Sequence, residues 1–315
     1  NPCQEFLRPP NEACNLASIN LLKFLKDDGS FDIPAFCHTV DIMITAMDIL
    51  IDRSSYPTEA IAQNSKDYRP LGLGYSNLGA FLMAQGLPYD SDAGRALAAS
   101  VTALMTGWAY KRSAELAALK GAFVGYTHAG NAAAMGEIIG MHRHAAYNSA
   151  DASLVSAITS TINTAAMDVW DEAYGAAVGI SSALPVGFRN CQVTVLAPCG
   201  TISFMMDCDT TGIEPCLGLV TTKKLVGGGK MQLVNGVVDR ALQSLGFAGR
   251  DERQVLREMM LTKMPNRLAC HAAVFATALG DNRISWQGHI TMVAAVQPFL
   301  SGGISKTINM PHDST

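Results

Sequence analysis

Gln192-Val193-Thr194-Val195-Leu196-Ala197-Pro198-Cys199-Gly200-Thr201-Ile202-Ser203 is the stretch that decides the fold class. Its first five residues are short, β-branched and alternating, which is the pattern of a strand. The strand runs straight into a turn of small residues bearing hydroxyls and backbone amides. Such turns bind phosphate when successive N–H groups converge or a helix starts there. They also serve as plain strand-to-helix connections, and the residues taken alone leave both readings open. The Gly-Lys-Ser/Thr ending of a P-loop is absent.

Helical patterns surround this strand. Val40, Ile44, Met47 and Ile51 recur at three- and four-residue steps and predict a helix over residues 34–52. Residues 68–75 (YRPLGLGY) read as a glycine-rich connector, followed by a helix over 76–85. A long Ala-rich helix is expected over 90–120, capped by Ser91 or Asp92. Residues 127–148 read as a helix–loop region and 151–177 as a helix. Beyond the central strand come a Gly-rich turn at 227–229, helices near 235–246, 251–264 and 287–300, and a strand at 305–309. Helices with short strands between them make the class α/β and helix-rich. Neither an internal repeat nor a dividing linker is visible.

Composition narrows the function. Of 315 residues, 49% are hydrophobic and only 16% charged, enough for a substantial core. The net charge of −4 comes without a basic block, which argues against a nucleic-acid partner but leaves room for a nucleotide substrate. The most apolar stretch, residues 42–51, is short for a membrane span and carries Asp48. No basic-then-apolar leader pattern opens the chain. The eight cysteines, Cys3, Cys14, Cys37, Cys191, Cys199, Cys208, Cys216 and Cys270, are scattered and form no Cys-x-x-Cys pair. They predict reduced thiols, a cytoplasmic location and no metal site. His142 and His144 read as surface or helix-end residues, and Tyr68 and Tyr75 as packing residues.

Asn1-Pro2-Cys3-Gln4-Glu5 sets a thiol between an amide and a carboxylate on a Pro-containing loop, and Ala13-Cys14-Asn15-Leu16-Ala17-Ser18-Ile19-Asn20-Leu21 follows. Alone, that pairing points to no particular chemistry. With YRPLGLGYSNL (68–78), RNCQVTVLAPCGTIS (189–203), DTTGIEP (209–215) and AAVQPFLSGGISKTINMP (294–311), however, it resembles the ribonucleotide reductase large chains, segment by segment and in the same order. The run LAPCGTISFMMDCDTTGIEP and the later ISKTINMP resemble most the class II enzymes, which use adenosylcobalamin.

The resemblance implies an oxidoreductase that reduces ribonucleotides to 2′-deoxyribonucleotides for DNA synthesis. Cys3 would be the thiyl radical, since its S–H bond strength is near that of the ribose C–H it must cleave. Glu5 would be the general base toward the 3′-hydroxyl, and Asn1 would hold the ribose hydroxyls near the sulfur. Pro2 and Gln4 complete this substrate-binding loop. Cys14 would be one of two cysteines that supply the reducing electrons; its family partner lies upstream of this chain. Pro198, Cys199, Gly200, Thr201 and Ile202 would cradle the substrate phosphates, with Thr201 and Ser203 as hydroxyl donors. Family members commonly carry Thr where this chain has Cys199.

The fold implied is part, the second half, of a ten-stranded α/β barrel, with residues 1–315 forming the C-terminal part of the catalytic barrel domain and residues 1–5 its finger loop. Its partners would be the ribonucleotide, the N-terminal portion of the same reductase and a thioredoxin-like or other dithiol. No nucleic acid or membrane is implied, and a homodimer is allowed. Such a half-barrel would be inactive and poorly stable alone, because it leaves a sheet edge and an apolar face uncovered. Two alternatives stand beside this reading. One is a class I large chain served by a separate metal-bearing radical subunit. The other is a non-catalytic nucleotide-binding remnant, against which the presence of Asn1, Cys3, Glu5 and Cys14 together argues.

Overall fold

The computed structural model describes residues 3–128, 130–148, 156–181, 187–224 and 230–310. Its organising feature is a parallel wall of extended segments backed by helices. β1 (Asn15–Asn20) pairs in parallel with β2 (Leu71–Ser76), in the register Asn15↔Leu71 to Asn20↔Ser76. Residues 192–196 line the other side of β2: Leu71 and Leu73 donate to the carbonyls of Gln192 and Val193, and Val195 donates back to Leu73. Residues 303–305 add a fourth segment through Leu196 N–H to Gly303 O (3.0 Å) and Ser305 N–H to Leu196 O (2.8 Å). The strand expected at 192–196 is present only as an extended segment, with isolated bridges at Thr194 and Leu196. The pairing expected over 305–309 is confined to 303–305.

YRPLGLGY is not a connector, because its second half is β2. Successive strand side chains point to opposite faces. Leu71, Leu73 and Tyr75 are fully buried, and Tyr75 reaches the helix layer with its hydroxyl 2.9 Å from that of Thr102. Gly72 and Gly74 take the other face, beside Leu16 and Ser18. A Cβ on Gly72 would lie 2.5 Å from Leu16 Cδ2, 2.8 Å from Val195 Cγ2 and 2.9 Å from Cys14 Sγ. The glycines are the space into which the neighbouring strands' side chains lean.

The helices cross over between the wall's segments. α1 (Ile33–Arg53) starts at Asp32, whose carboxylate accepts from Ala35 N–H, with Pro34 in its first turn. It is long and apolar enough to cross a membrane by composition, yet it buries Phe36, Val40, Ile44, Met47 and Ile51 in the core. α2 (Glu59–Tyr68), which sequence patterning did not single out, carries the chain back to β2. α3 (Leu78–Ala84) is buried throughout. α4 (Asp92–Lys120) is capped by Ser91 and ends at Gly121, φ +84°. It packs against α6 (Ala157–Val178), where Gly107 makes room for Val169 and Trp170. α5 (Asn131–Asn148) covers α6.

After the central strand come α7 (Gly200–Met205) and an antiparallel hairpin of β3 (Val220–Lys224) and β4 (Lys230–Val234), which the sequence did not announce. The Gly-rich turn expected at 227–229 lies outside the described residues. α8 (Val237–Ser244), α9 (Arg250–Met260) and α10 (Trp286–Val296) follow close to expectation. α10 gives way to a 3-10 turn at Gln297–Phe299, where Pro298 has no N–H to donate.

One polar knot ties the wall's leading ends to the helices. Arg69, buried and in the left-handed region (φ 51°), donates to Asp48 Oδ1 (2.8 Å), to the Asp48 carbonyl (2.8 Å) and to both oxygens of Asp52. Asn190 donates to Asp48 Oδ1 and to the Arg69 carbonyl, and accepts from Ser113.

Candidate active site

The opening loop is held from both sides. Glu5 O accepts from Gly303 N–H at 2.7 Å, so the loop rests on the wall's last segment. Farther along, Arg8 pairs with Glu12 (3.1 Å), Ala13 N–H donates to Ser65 Oγ (2.9 Å), and Asn64 donates to the Pro10 carbonyl. Asn1 and Pro2 lie outside the described residues. Cys3 and Gln4 are exposed, and Gln4 has φ 61°. Glu5 is 4% exposed, and its buried Oε2 has no hydrogen-bond partner among the described residues. A buried carboxylate oxygen without a donor is costly, so this atom marks where a donor from outside the described residues belongs.

The Glu5 carboxylate bears on the thiols of both other elements of the site. Burial pushes the Cys14 thiol up to about 12, with contributions from Cys191 and from the Glu5 carboxylate. Burial also raises Cys199, Ser18 opposes that shift, and Glu5 adds to it. Cys14 is thus a protonated thiol at neutral pH. Cys14, Leu16 and Ser18 share one face at the start of and along β1, and four residues of strand span roughly 13 Å. Cys14 marks one end of that span. At the other end, Ser18 Oγ lies 2.7 Å from Cys199 Sγ.

The turn at 197–203 is anchored beneath and open above. Cys199 adopts φ 53° and bonds Ser18 and the Ala197 carbonyl through its sulfur. The serine expected as a ligand donor, Ser203, is instead 1% exposed and spends its hydroxyl on Ser76 Oγ at 2.5 Å. Ser76 also accepts from Gly212 N–H. Pro198, Gly200, Thr201 and Ile202 are exposed, and a Cβ on Gly200 would meet nothing within 4 Å. The first turn of α7 therefore has an open side. Ser18, Ser76 and Gly303 were missed by motif reading. Only strand alternation, which places 14, 16 and 18 on one face, hinted at the first.

Other sequence readings divide. Tyr75 is a packing residue, as expected. His142 is not a surface residue: it is 8% exposed, its ring stacks on Trp170 with centroids 5.2 Å apart, and its Nδ1 donates to the Pro298 carbonyl at 2.6 Å. Its polarity in an Ala-rich helix disguised a core position. Among the described residues, no three His, Cys, Asp or Glu side chains cluster as metal ligands.

Against known proteins, the family described as "Ribonucleotide reductase, barrel domain" matches residues 1–315. The chain belongs to the ribonucleotide reductase barrel-domain family. It is 46% identical to the vitamin B12-dependent ribonucleotide reductase of Streptomyces clavuligerus, over 100% of this chain and 32% of that protein. It is 47% identical to that of Rhodopirellula baltica, over 100% of this chain and 30% of the relative. The vitamin B12-dependent ribonucleoside-diphosphate reductase of Mycobacterium tuberculosis is 30% identical, over 100% of this chain and 37% of its own. This reductase barrel domain thus spans about a third of the length of these relatives.

Proposed function

We propose that this chain carries the reaction centre of an adenosylcobalamin-dependent ribonucleotide reductase and that the rest of the enzyme completes it. The observation that carries the reading is the unpartnered, buried Glu5 Oε2, flanked by the protonated Cys14 thiol and the turn at Cys199. A ribose 3′-hydroxyl supplies the donor that this oxygen lacks. Phosphates fit the exposed turn at Gly200, Thr201 and Ile202, beside Pro198 and the anchored Cys199. Asn1, Pro2 and Gln4 complete the sugar-binding loop.

In this reading the Cys3 radical removes the hydrogen atom at C3′ and Glu5 takes the proton from the 3′-hydroxyl. Cys14 and a second thiol then supply two hydrogens: the 2′-hydroxyl leaves as water, a hydrogen takes its place, and the two sulfurs end as a disulfide. The high pKa of Cys14 suits a thiol that must arrive protonated. The exposed Cys3 thiol fits an initiator that comes from outside this chain. When bound, adenosylcobalamin would supply the radical that Cys3 carries. The choice of that cofactor rests on the relatives' names.

The wall of four segments supports the ten-stranded barrel as the complete fold, with the N-terminal portion of the reductase as the partner of the β1 edge that is unpaired among the described residues. A thioredoxin-like or other dithiol would regenerate the thiols. The test is reduction of a ribonucleoside di- or triphosphate by the full-length protein with adenosylcobalamin and a dithiol, beside Cys3→Ala and Glu5→Gln. Cobalamin-dependent turnover, lost in Cys3→Ala and reduced about 100-fold or more in Glu5→Gln, is expected. Turnover only with a metal-bearing radical subunit would move the enzyme to class I. No turnover in either setting, with nucleotide still bound, would leave a binding remnant.

A further inference from the structure

Glu214, Lys306 and His289 form a buried polar group outside the site described above. The Lys306 side chain is 4% exposed and His289 is fully buried. Lys306 Nζ donates to Glu214 Oε2, to His289 Nδ1 (2.8 Å) and to the Thr307 carbonyl (2.7 Å), which uses all three ammonium hydrogens. Glu214 Oε1 accepts from Thr307 N–H at 2.8 Å. One carboxylate therefore clasps two successive residues just past the wall's last segment. His289 accepts at Nδ1, so its proton sits on Nε2.

The clasp joins the two halves of the site. On one side, residues 303–305 hold the finger loop through Gly303 N–H to Glu5 O and are zipped to Leu196. On the other, Gly212, two residues before Glu214, presses against the turn at 197–198: a Cβ there would lie 3.0 Å from the Ala197 carbonyl oxygen and 3.3 Å from that of Pro198. Gly212 N–H is held by Ser76, and the Ile213 carbonyl accepts from Tyr89 at 2.7 Å. The Lys306–Glu214 contact is thus a direct bridge from the segment that seats the Glu5 loop to the loop that backs the turn at Cys199.

We propose that Lys306, through Glu214 and His289, is a positioning residue for ribonucleotide reduction, setting the distance between the Glu5 carboxylate and the phosphate-facing turn. This rests on the function proposed above. A charge pair suits the task, because the buried ammonium has one geometry that satisfies all its acceptors and a slip of the strand breaks it.

The test uses the full-length protein carrying Lys306→Met, and beside it the double variant Glu214→Gln/Lys306→Met, which leaves no unpaired buried charge. Misplacement of reacting groups by an ångström costs about 100-fold. Lys306→Met should therefore lower kcat by about 10- to 100-fold with a smaller change in KM, and should speed hydrogen exchange at the Gly303 amide. The double variant should regain the parent's melting temperature while kcat stays low. Should Lys306→Met not fold, the double variant carries the same readouts. Recovery of kcat together with melting in the double variant would reduce Lys306 to a stability role, and Gly303 exchange and kcat equal to the parent's would overturn the proposal. A parent whose turnover is indifferent to Cys3→Ala would sink the proposed function instead, and the exchange measurement would still decide the anchoring.

Discussion

Gly303 donates its backbone N–H to the carbonyl of Glu5 at 2.7 Å, and that bond seats the opening loop on the parallel wall. The approach is close enough that only glycine allows it. A Cβ at 303 would lie 2.8 Å from the Gln4 carbonyl oxygen and 3.2 Å from that of Glu5. Both are backbone atoms of the loop, so the loop must move as a body. Gly303→Ala in the full-length protein should cost at least about 10-fold in kcat, by the same misplacement argument. Its thermal stability should fall little, since residues 3–5 contribute few buried side chains. Parent-like kcat in a folded Gly303→Ala protein would show that the seat is not needed.

Gly72 makes the corresponding prediction on the opposite side of the site. An added methyl would collide with Leu16, Val195 and the Cys14 sulfur, all within 2.9 Å. Val195 is fully buried and cannot yield, whereas Leu16 is half-exposed and can swing aside, so the strain is shared between Leu16 and the part-buried Cys14 side chain. Gly72→Ala should destabilise by about 1–3 kcal/mol, as overpacking does. Under the proposed role of Cys14, it should also slow multiple turnover more than it weakens nucleotide binding. Equal losses in turnover and binding would place the damage in the fold and not in Cys14.

Some of this was legible before the structure and some was not, for physical reasons. α1 could be read because its buried residues recur at the helical period, and α4 because it is Ala-rich and opens at the cap Ser91. The extended segment at 192–196 could be read because β-branched residues alternate there. β2 could not, since Gly72 and Gly74 erase one face of its alternation and imitate a loop. The clasp of Glu214 on Lys306 was invisible for a different cause: it joins residues 92 apart that carry no local signal. The thiols and Glu5 were named through resemblance, whereas the burial of Glu5 Oε2 and the commitment of Ser203 to Ser76 emerged only from the packing.

Arg69 gives a stability prediction. Its guanidinium is 4% exposed and satisfies Asp48, itself 10% exposed, as well as Asp52. Removing it strands the Asp48 carboxylate in the interior beside Asn190 and the more distant Arg189 (3.5 Å). Breaking a buried pair from one side costs about 3–5 kcal/mol, so Arg69→Met should lower the melting temperature sharply. The hydrogen bond from Arg69 also holds Asp52 below the usual aspartate range. That contribution is present above the ordinary aspartate value, near 3.8, and is lost as pH falls through the lowered native value. The parent should therefore lose more stability than Arg69→Met on acidification below about pH 4, and parallel acid curves would show that Asp52 gains nothing from the pair.

His142 predicts a pH dependence of the opposite origin. Burial lowers its pKa, and the hydrogen bond to the Pro298 carbonyl only partly opposes this. The native ring is neutral, with its proton on the Nδ1 that donates to Pro298 and a buried Nε2 that has no partner among the described residues. In the unfolded chain the same ring takes up a proton near its ordinary value of 6.5. As pH falls below that value the unfolded state binds a proton that the native state refuses. Stability therefore decreases by up to about 1.4 kcal/mol per pH unit, until the lowered native value is reached. His289, lowered by burial and by Lys306, acts in the same direction. His142→Phe keeps a ring against Trp170 but cannot titrate. It should be less stable than the parent at pH 8, having left the Pro298 carbonyl without its donor, and should lose less stability between pH 6.5 and pH 5. Denaturant unfolding of both proteins across that range measures the difference directly, and equal slopes would mean that His142 is not the titrating group.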